Sequence, residues 1–176
     1  MTLITNSVAK ESIRLSLKWL GVAADTNASC EALKSLQRAS YLSGVAISTT
    51  KTALAHSISY PLTSRYGINH GIACSFTLPT ILIFNYQKDD GRLHELSESL
   101  GYRNIQGLHS RLSALLDECR VWDFLKDMND LILADLPATA PEMLNPTRAS
   151  NNMRKATIED AQLIVEKSLF DSSSIC

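Results

Sequence analysis

The sequence predicts an all-α fold, a multi-helix bundle, on three observations. Apolar residues recur at the three-to-four-residue spacing of amphipathic helices through most of the chain. Sustained strand-type alternation is hard to find. Gly21, Pro61, Gly67 and Gly101 fall between periodic stretches, where helices stop and start.

The first helix is expected from about Ser7 to Leu20, capped by Asn6 or Thr5, with Val8, Ser12, Leu15 and Trp19 on one face. Gly21 suits its C-terminal stop. The second, roughly Ser29 to Thr50, carries Leu33, Leu36, Ser40, Ser43 and Ile47, with Ala39, Gly44 and Ala46 close by. Small residues let helices approach closely, and close packing offsets a glycine's helical cost of about 1 kcal/mol. A third helix is expected from Lys51 to about Tyr60, where Pro61 ends or kinks it, since proline lacks the amide proton and clashes with the preceding turn. Tyr66 and Gly67 mark the following turn.

His70 to Phe84 is strongly apolar and interrupted by Pro79, which predicts a helix, a break and a second helix with proline in its first turn, a buried hairpin. Amphipathic helices follow over Arg92 to Leu100, Ile105 to Cys119 and Trp122 to Met128. Leu136 to Asn151 holds Pro137, Pro141 and Pro146 and reads as an ordered loop or a set of short turns. Thr157 and Asp160 form a capping-box-like start for the last helix, which is expected to reach about Leu169, with a frayed tail over Asp171 to Cys176.

A chain of 176 residues fits one domain, 1–176, large enough to bury roughly 70% of its unfolded surface. Its 17 Lys plus Arg against 18 Asp plus Glu leave a net charge of -1, which predicts no nucleic-acid partner and no attraction to anionic membranes. No apolar run approaches the roughly 20 residues that span a bilayer, and no basic segment leads into an apolar leader; the expected location is cytoplasmic. Cys30, Cys74, Cys119 and Cys176 form no CxxC pair, so reduced thiols are expected, and Cys30, Cys74 and Cys119, each among helix formers, are expected to act as small apolar side chains.

The chemistry concentrates in Thr52 to Asn85. His56 and Tyr60 are four apart and share a helical face. His70 follows a tight turn and heads the next helix. Two imidazoles meeting at a helix-turn-helix corner suit a first-row transition metal. By spacing alone, ordinary buried or surface histidines are the better reading, because two histidines fourteen apart occur by chance in many chains.

The stretch TALAHSISYPLTSRYGINHGIACSFTLPTILIFN resembles the signature of the iron-containing (group III) alcohol dehydrogenases, in outline H-x(3)-H-x(9)-HG followed by an apolar helix, LP and FN. TNSVAKESIRLSLKWL, SYLSGVAISTTKTALAH and NPTRASNNMRKATIEDAQLIVEKS resemble flanking helices and the closing loop of the same family, so the likeness runs over nearly the full chain. The fold it implies is the family's C-terminal helical domain, the dehydroquinate synthase-like α domain. His56 and His70 fall where the family has its last two metal ligands, and Gly71 matches the glycine after the second.

Two positions depart from the pattern. Tyr60 stands where most members have a further histidine near the active site, and Asn69 where proline usually precedes HG. The tyrosine resembles the phosphonoacetaldehyde reductase-like branch. A phenol there donates a hydrogen bond to a substrate oxygen, although it carries protons at neutral pH less readily than imidazole.

The resemblance also implies what these residues lack. The family supplies an aspartate and another histidine from preceding helices and binds its nicotinamide dinucleotide on an N-terminal domain with a GGGS-type loop. No such glycine-rich turn occurs in these residues. The N-terminal nucleotide-binding domain is therefore expected to be absent, NAD(P) is not expected to bind this chain alone, and a divalent metal, Fe or Zn, is expected to be held weakly by an incomplete ligand set. His94 and His109 read as surface histidines. The expected function is that of a truncated dehydrogenase domain without independent oxidoreductase activity, joined by a separate nucleotide-binding domain. The alternative is a stand-alone helical oligomerisation or interaction module, a homo-oligomer and most simply a dimer.

Overall fold

In a computed structural model, which describes residues 3–25 and 27–173, the local chemistry yields helices and no strand among the described residues. No helix among them is long and apolar enough to cross a membrane. Cys176 and the end of the tail lie outside the described residues.

The residues divide into two compact units, 1–51 with 90–119, and 52–89 with 120–176. The first unit contains α1 (Leu3–Ala24), α2 (Cys30–Thr50), α6 (Arg92–Ser99) and α7 (Ile105–Glu118). Ser29 caps α2 by accepting from the Ala32 amide at 3.1 Å, as its residue type predicts. The face of α2 that packs is one of small residues: Ala32, Ala39 and Ala46 are buried, whereas Leu33 and Ile47 are exposed. The expected face was therefore shifted by one residue. Alanines let α1 approach so closely that the Ser12 hydroxyl donates to the Ala39 carbonyl at 2.8 Å.

Two glycine readings change as well. Gly21 does not stop α1, which continues to Ala24; a Cβ at this position would overlap the Glu118 carboxylate. Glu118 is in turn held by Arg111 at 2.6 Å, and the same guanidinium donates to the Leu17 carbonyl at 2.7 Å. Gly44 has nothing within 4 Å of where its Cβ would stand, so it serves no close approach among the described residues.

The second unit contains α3 (Leu54–Tyr66), α4 (His70–Ser75), α5 (Leu78–Tyr86), α8 (Val121–Leu125), α9 (Asn129–Thr139), a 3-10 turn (Ala140–Met143), α10 (Pro146–Ala149) and α11 (Ile158–Ser173). Lys51, at φ 64, ends α2 and separates it from α3, so the third helix starts later than expected. It also runs through Pro61 to Tyr66. Leu54, Ile58 and Leu62, one turn apart on either side of the proline, are each 0% exposed. Burying three such side chains contributes about 1.5–3 kcal/mol each, enough to outweigh the roughly 3 kcal/mol of an interior proline.

α4 and α5 meet at Phe76 and Thr77 with Pro79 in the first turn of α5, the expected helix, break and helix. Where a proline-rich loop was expected, α9, the 3-10 turn and α10 occupy most of the segment. Pro137 lies inside α9, which Ile132 and Leu136 bury, while Pro141 and Pro146 each open a turn, where their missing amide protons cost nothing. The Tyr66 hydroxyl donates to Asp135 at 2.7 Å and ties α3 to α9. Thr157 and Asp160 form the predicted reciprocal cap, at 3.0 and 3.2 Å, and α11 then continues past Leu169 to Ser173.

Candidate metal centre

The site forms within the second unit, where α3 turns into α4. Gly67, at φ 67, adopts the left-handed conformation that closes α3 and returns its amide to the Thr63 carbonyl at 3.0 Å. Ile68 is buried and pins the turn. The Asn69 side chain then accepts from the Gly71 amide at 3.0 Å and starts α4. Asparagine at this position, the departure noted in the sequence, thus caps the helix that opens with His70.

This turn brings His56 and His70 together, with ring centroids 5.5 Å apart in an edge-on arrangement. Tyr60, one turn after His56, also meets His70 edge-on at 5.6 Å, so all three residues singled out in the sequence converge. Cys74, one turn after His70 and treated in the sequence as an apolar filler, joins them. Its Sγ lies 3.6 Å from His70 Nε2, and one donor atom each from His56, His70 and Cys74 lies within 4.8 Å of the others. Spacing could have revealed it, because His70 and Cys74 share a face of α4 just as His56 and Tyr60 share one of α3.

Ser59 links the two helices. Its hydroxyl donates to the His56 carbonyl at 2.9 Å and accepts from the Cys74 thiol at 3.1 Å. Arg148, also missed in the sequence, brings its guanidinium to 4.1 Å from the centroid of the Tyr60 ring. α10 holds it there, because the Asn145 amide donates to Ser57 Oγ at 3.0 Å and Asn151 donates to the Thr52 carbonyl at 3.1 Å.

Burial pushes the His56 pKa down, and the neighbouring His70 and Arg148 add to that effect. The imidazole therefore favours its neutral, electron-donating form. Burial raises the Cys74 pKa, partly opposed by Ser59, so the free thiol stays protonated near neutrality. Two imidazole nitrogens and a sulfur converging at one corner fit a borderline-soft divalent metal, and α3 and α4 supply all of them. His94 and His109 lie on α6 and α7 of the other unit; His94 is exposed and faces Glu98 at 3.5 Å, as expected of a surface histidine, while His109 is half-buried. Cys30 is exposed, against the expectation of an apolar filler.

The C-terminal profile of the Fe-containing alcohol dehydrogenase family matches residues 1–169. The chain is 25% identical over 176 residues to the NAD-dependent methanol dehydrogenase of Bacillus methanolicus, covering 96% of this chain and 46% of that protein. It is 40% identical over 75 residues to the phosphonoacetaldehyde reductase of Streptomyces viridochromogenes, covering 43% of this chain and 19% of the relative. Among solved structures, sulfoacetaldehyde reductase from Bifidobacterium kashiwanohense in complex with NAD+ superposes with a TM-score of 0.86 at 26% identity, covering 96% of this chain and 44% of that one. The chain thus spans less than half the length of these relatives.

Proposed function

Because this chain belongs to the Fe-containing alcohol dehydrogenase family, we propose that it is the metal-holding part of an oxidoreductase acting on small alcohols or aldehydes, with His56 and His70 as metal ligands. The convergence of these two rings at the α3–α4 corner carries the reading. A bound divalent iron or zinc supplies Lewis acidity toward an alcohol or carbonyl oxygen. His56, held toward its neutral form, keeps a nitrogen lone pair available. Tyr60, a 46% exposed residue beside His70, offers a phenolic hydrogen bond to a substrate oxygen.

For substrate class we propose small aldehydes or alcohols bearing a tetrahedral anion. Phosphonoacetaldehyde and sulfoacetaldehyde reductases are among the similar proteins, and the Arg148 guanidinium beside Tyr60 supplies a cation suited to a phosphonate or sulfonate.

Hydride transfer needs a nicotinamide, and these 176 residues carry no glycine-rich phosphate loop. We propose that they have no independent NAD-dependent activity and work with a nucleotide-binding polypeptide. The test is to add a polypeptide carrying a GGGS loop and an Asp-x(3)-His motif and follow NAD-dependent turnover of small alcohols and aldehydes. Turnover with both parts and none with either alone is expected; turnover by the chain alone contradicts the reading.

A second reading, a helical interaction module forming a homodimer, is favoured by a specific surface. Leu33, Tyr41 and Val45 are exposed along one face of α2. Light scattering that finds a monomer at high concentration would sink it.

A further inference from the structure

We propose that Cys74 is a third metal ligand, so that this chain carries by itself a two-histidine, one-cysteine site selective for zinc-like divalent metals. The inference rests on the reading of His56 and His70 as ligands and adds a sulfur donor to them.

The geometry comes from two helices, each placing side chains one turn apart at the shared corner. α3 brings His56, and α4 brings His70 and Cys74 from the same face. In a tetrahedral zinc site with bonds of about 2.3 Å to sulfur and 2.0–2.1 Å to nitrogen, ligating sulfur and nitrogen lie about 3.6 Å apart. The Cys74 Sγ to His70 Nε2 distance is 3.6 Å. The whole set lies within 4.8 Å, so the remaining separations need to contract by at most about 1.5 Å, a change within reach of side-chain rotations.

Cys74 is also positioned from behind. Ser59 Oγ accepts its S–H at 3.1 Å while donating to the His56 carbonyl, which anchors the sulfur to the turn of α3 that carries His56. When the metal binds, the S–H bond breaks, the proton passes to water and the thiolate pair forms the metal–sulfur bond, with no redox change. Three protein ligands and an open position are the arrangement of catalytic zinc sites. A thiolate also favours zinc over harder ions, which two imidazoles alone do less strongly.

The experiment is titration of the untagged full chain with Co(II) and then Zn(II), in wild type, Cys74→Ser and His56→Ala, with circular dichroism confirming that each variant is folded. Expected is a thiolate-to-cobalt charge-transfer band in the near ultraviolet that Cys74→Ser abolishes, and a loss of zinc affinity of about tenfold or more in either variant. Because Cys30 and Cys119 also carry thiols, a band that survives in Cys74→Ser overturns the inference. Metal binding that needs His56 but is unchanged in Cys74→Ser removes Cys74 while leaving the two histidines. Failure of the wild type to bind either ion removes both readings.

Discussion

The Arg148 guanidinium lies 4.1 Å from the centroid of the Tyr60 ring, one turn along α3 from His56. The ring holds the cation in place, and no carboxylate among the described residues pairs with it in a salt bridge. Its planar fork of donors suits a tetrahedral anion. Phosphonoacetate and sulfoacetate are therefore expected to bind, perturbing the Tyr60 and His70 resonances in NMR titrations. Arg148→Ala should weaken that binding about tenfold or more, the equivalent of one charge-assisted hydrogen bond of ~1.5 kcal/mol. Equal binding of uncharged acetaldehyde analogues, or no effect of Arg148→Ala, would rule out the anion reading.

Ile58 carries the centre of α3 across Pro61. Truncation to alanine leaves a cavity in a fully buried layer and is expected to cost about 2–5 kcal/mol in denaturant unfolding. A loss below about 1 kcal/mol would mean that burial does not hold α3 together through its proline.

Gly44 is exposed in the interior of α2 with open space around it. Gly44→Ala should stabilise the protein by up to about 1 kcal/mol, through helix propensity alone. A destabilised variant would show that something packs tightly against this face in solution.

Asp135 accepts hydrogen bonds from Tyr66 and from Thr139, and these, with Arg65 close by, hold its carboxyl below the ordinary range. Its folded pKa is depressed, so the stability it contributes is present above the unfolded value of about 3.8 and is lost as pH falls through the folded one. Tyr66→Phe removes the largest of these effects. The variant should unfold more readily than wild type near neutrality, and the gap should close in acid. A gap independent of pH would assign the loss to packing.

Much of this architecture was legible in the residues because it rests on local chemistry. The Ser29 cap, the Thr157 and Asp160 pair and the break at Pro79 each depend on neighbours within a turn. Features decided by tertiary packing were not. Pro61 and Pro137 read as breakers, yet both sit in helices stabilised by buried apolar neighbours. The small-residue face of α2 displaced the bulkier one because α1 approaches closely. At the site, His56, Tyr60 and His70 were found through a spacing tied to a family signature. Cys74 was passed over because a lone cysteine among helix formers looks like core filler. Arg148 was passed over because it is far from the others in sequence and is carried in by a short helix read as loop.

The most direct test of the metal-holding role is the metal content of untagged protein, measured by mass spectrometry after equilibration with Fe(II) or Zn(II) and removal of excess ion. About one metal ion per chain is expected in wild type, and a stoichiometry near zero in the His56→Ala, His70→Ala double variant with its fold intact. A wild-type content near zero, or a double variant that retains its ion, would contradict that role.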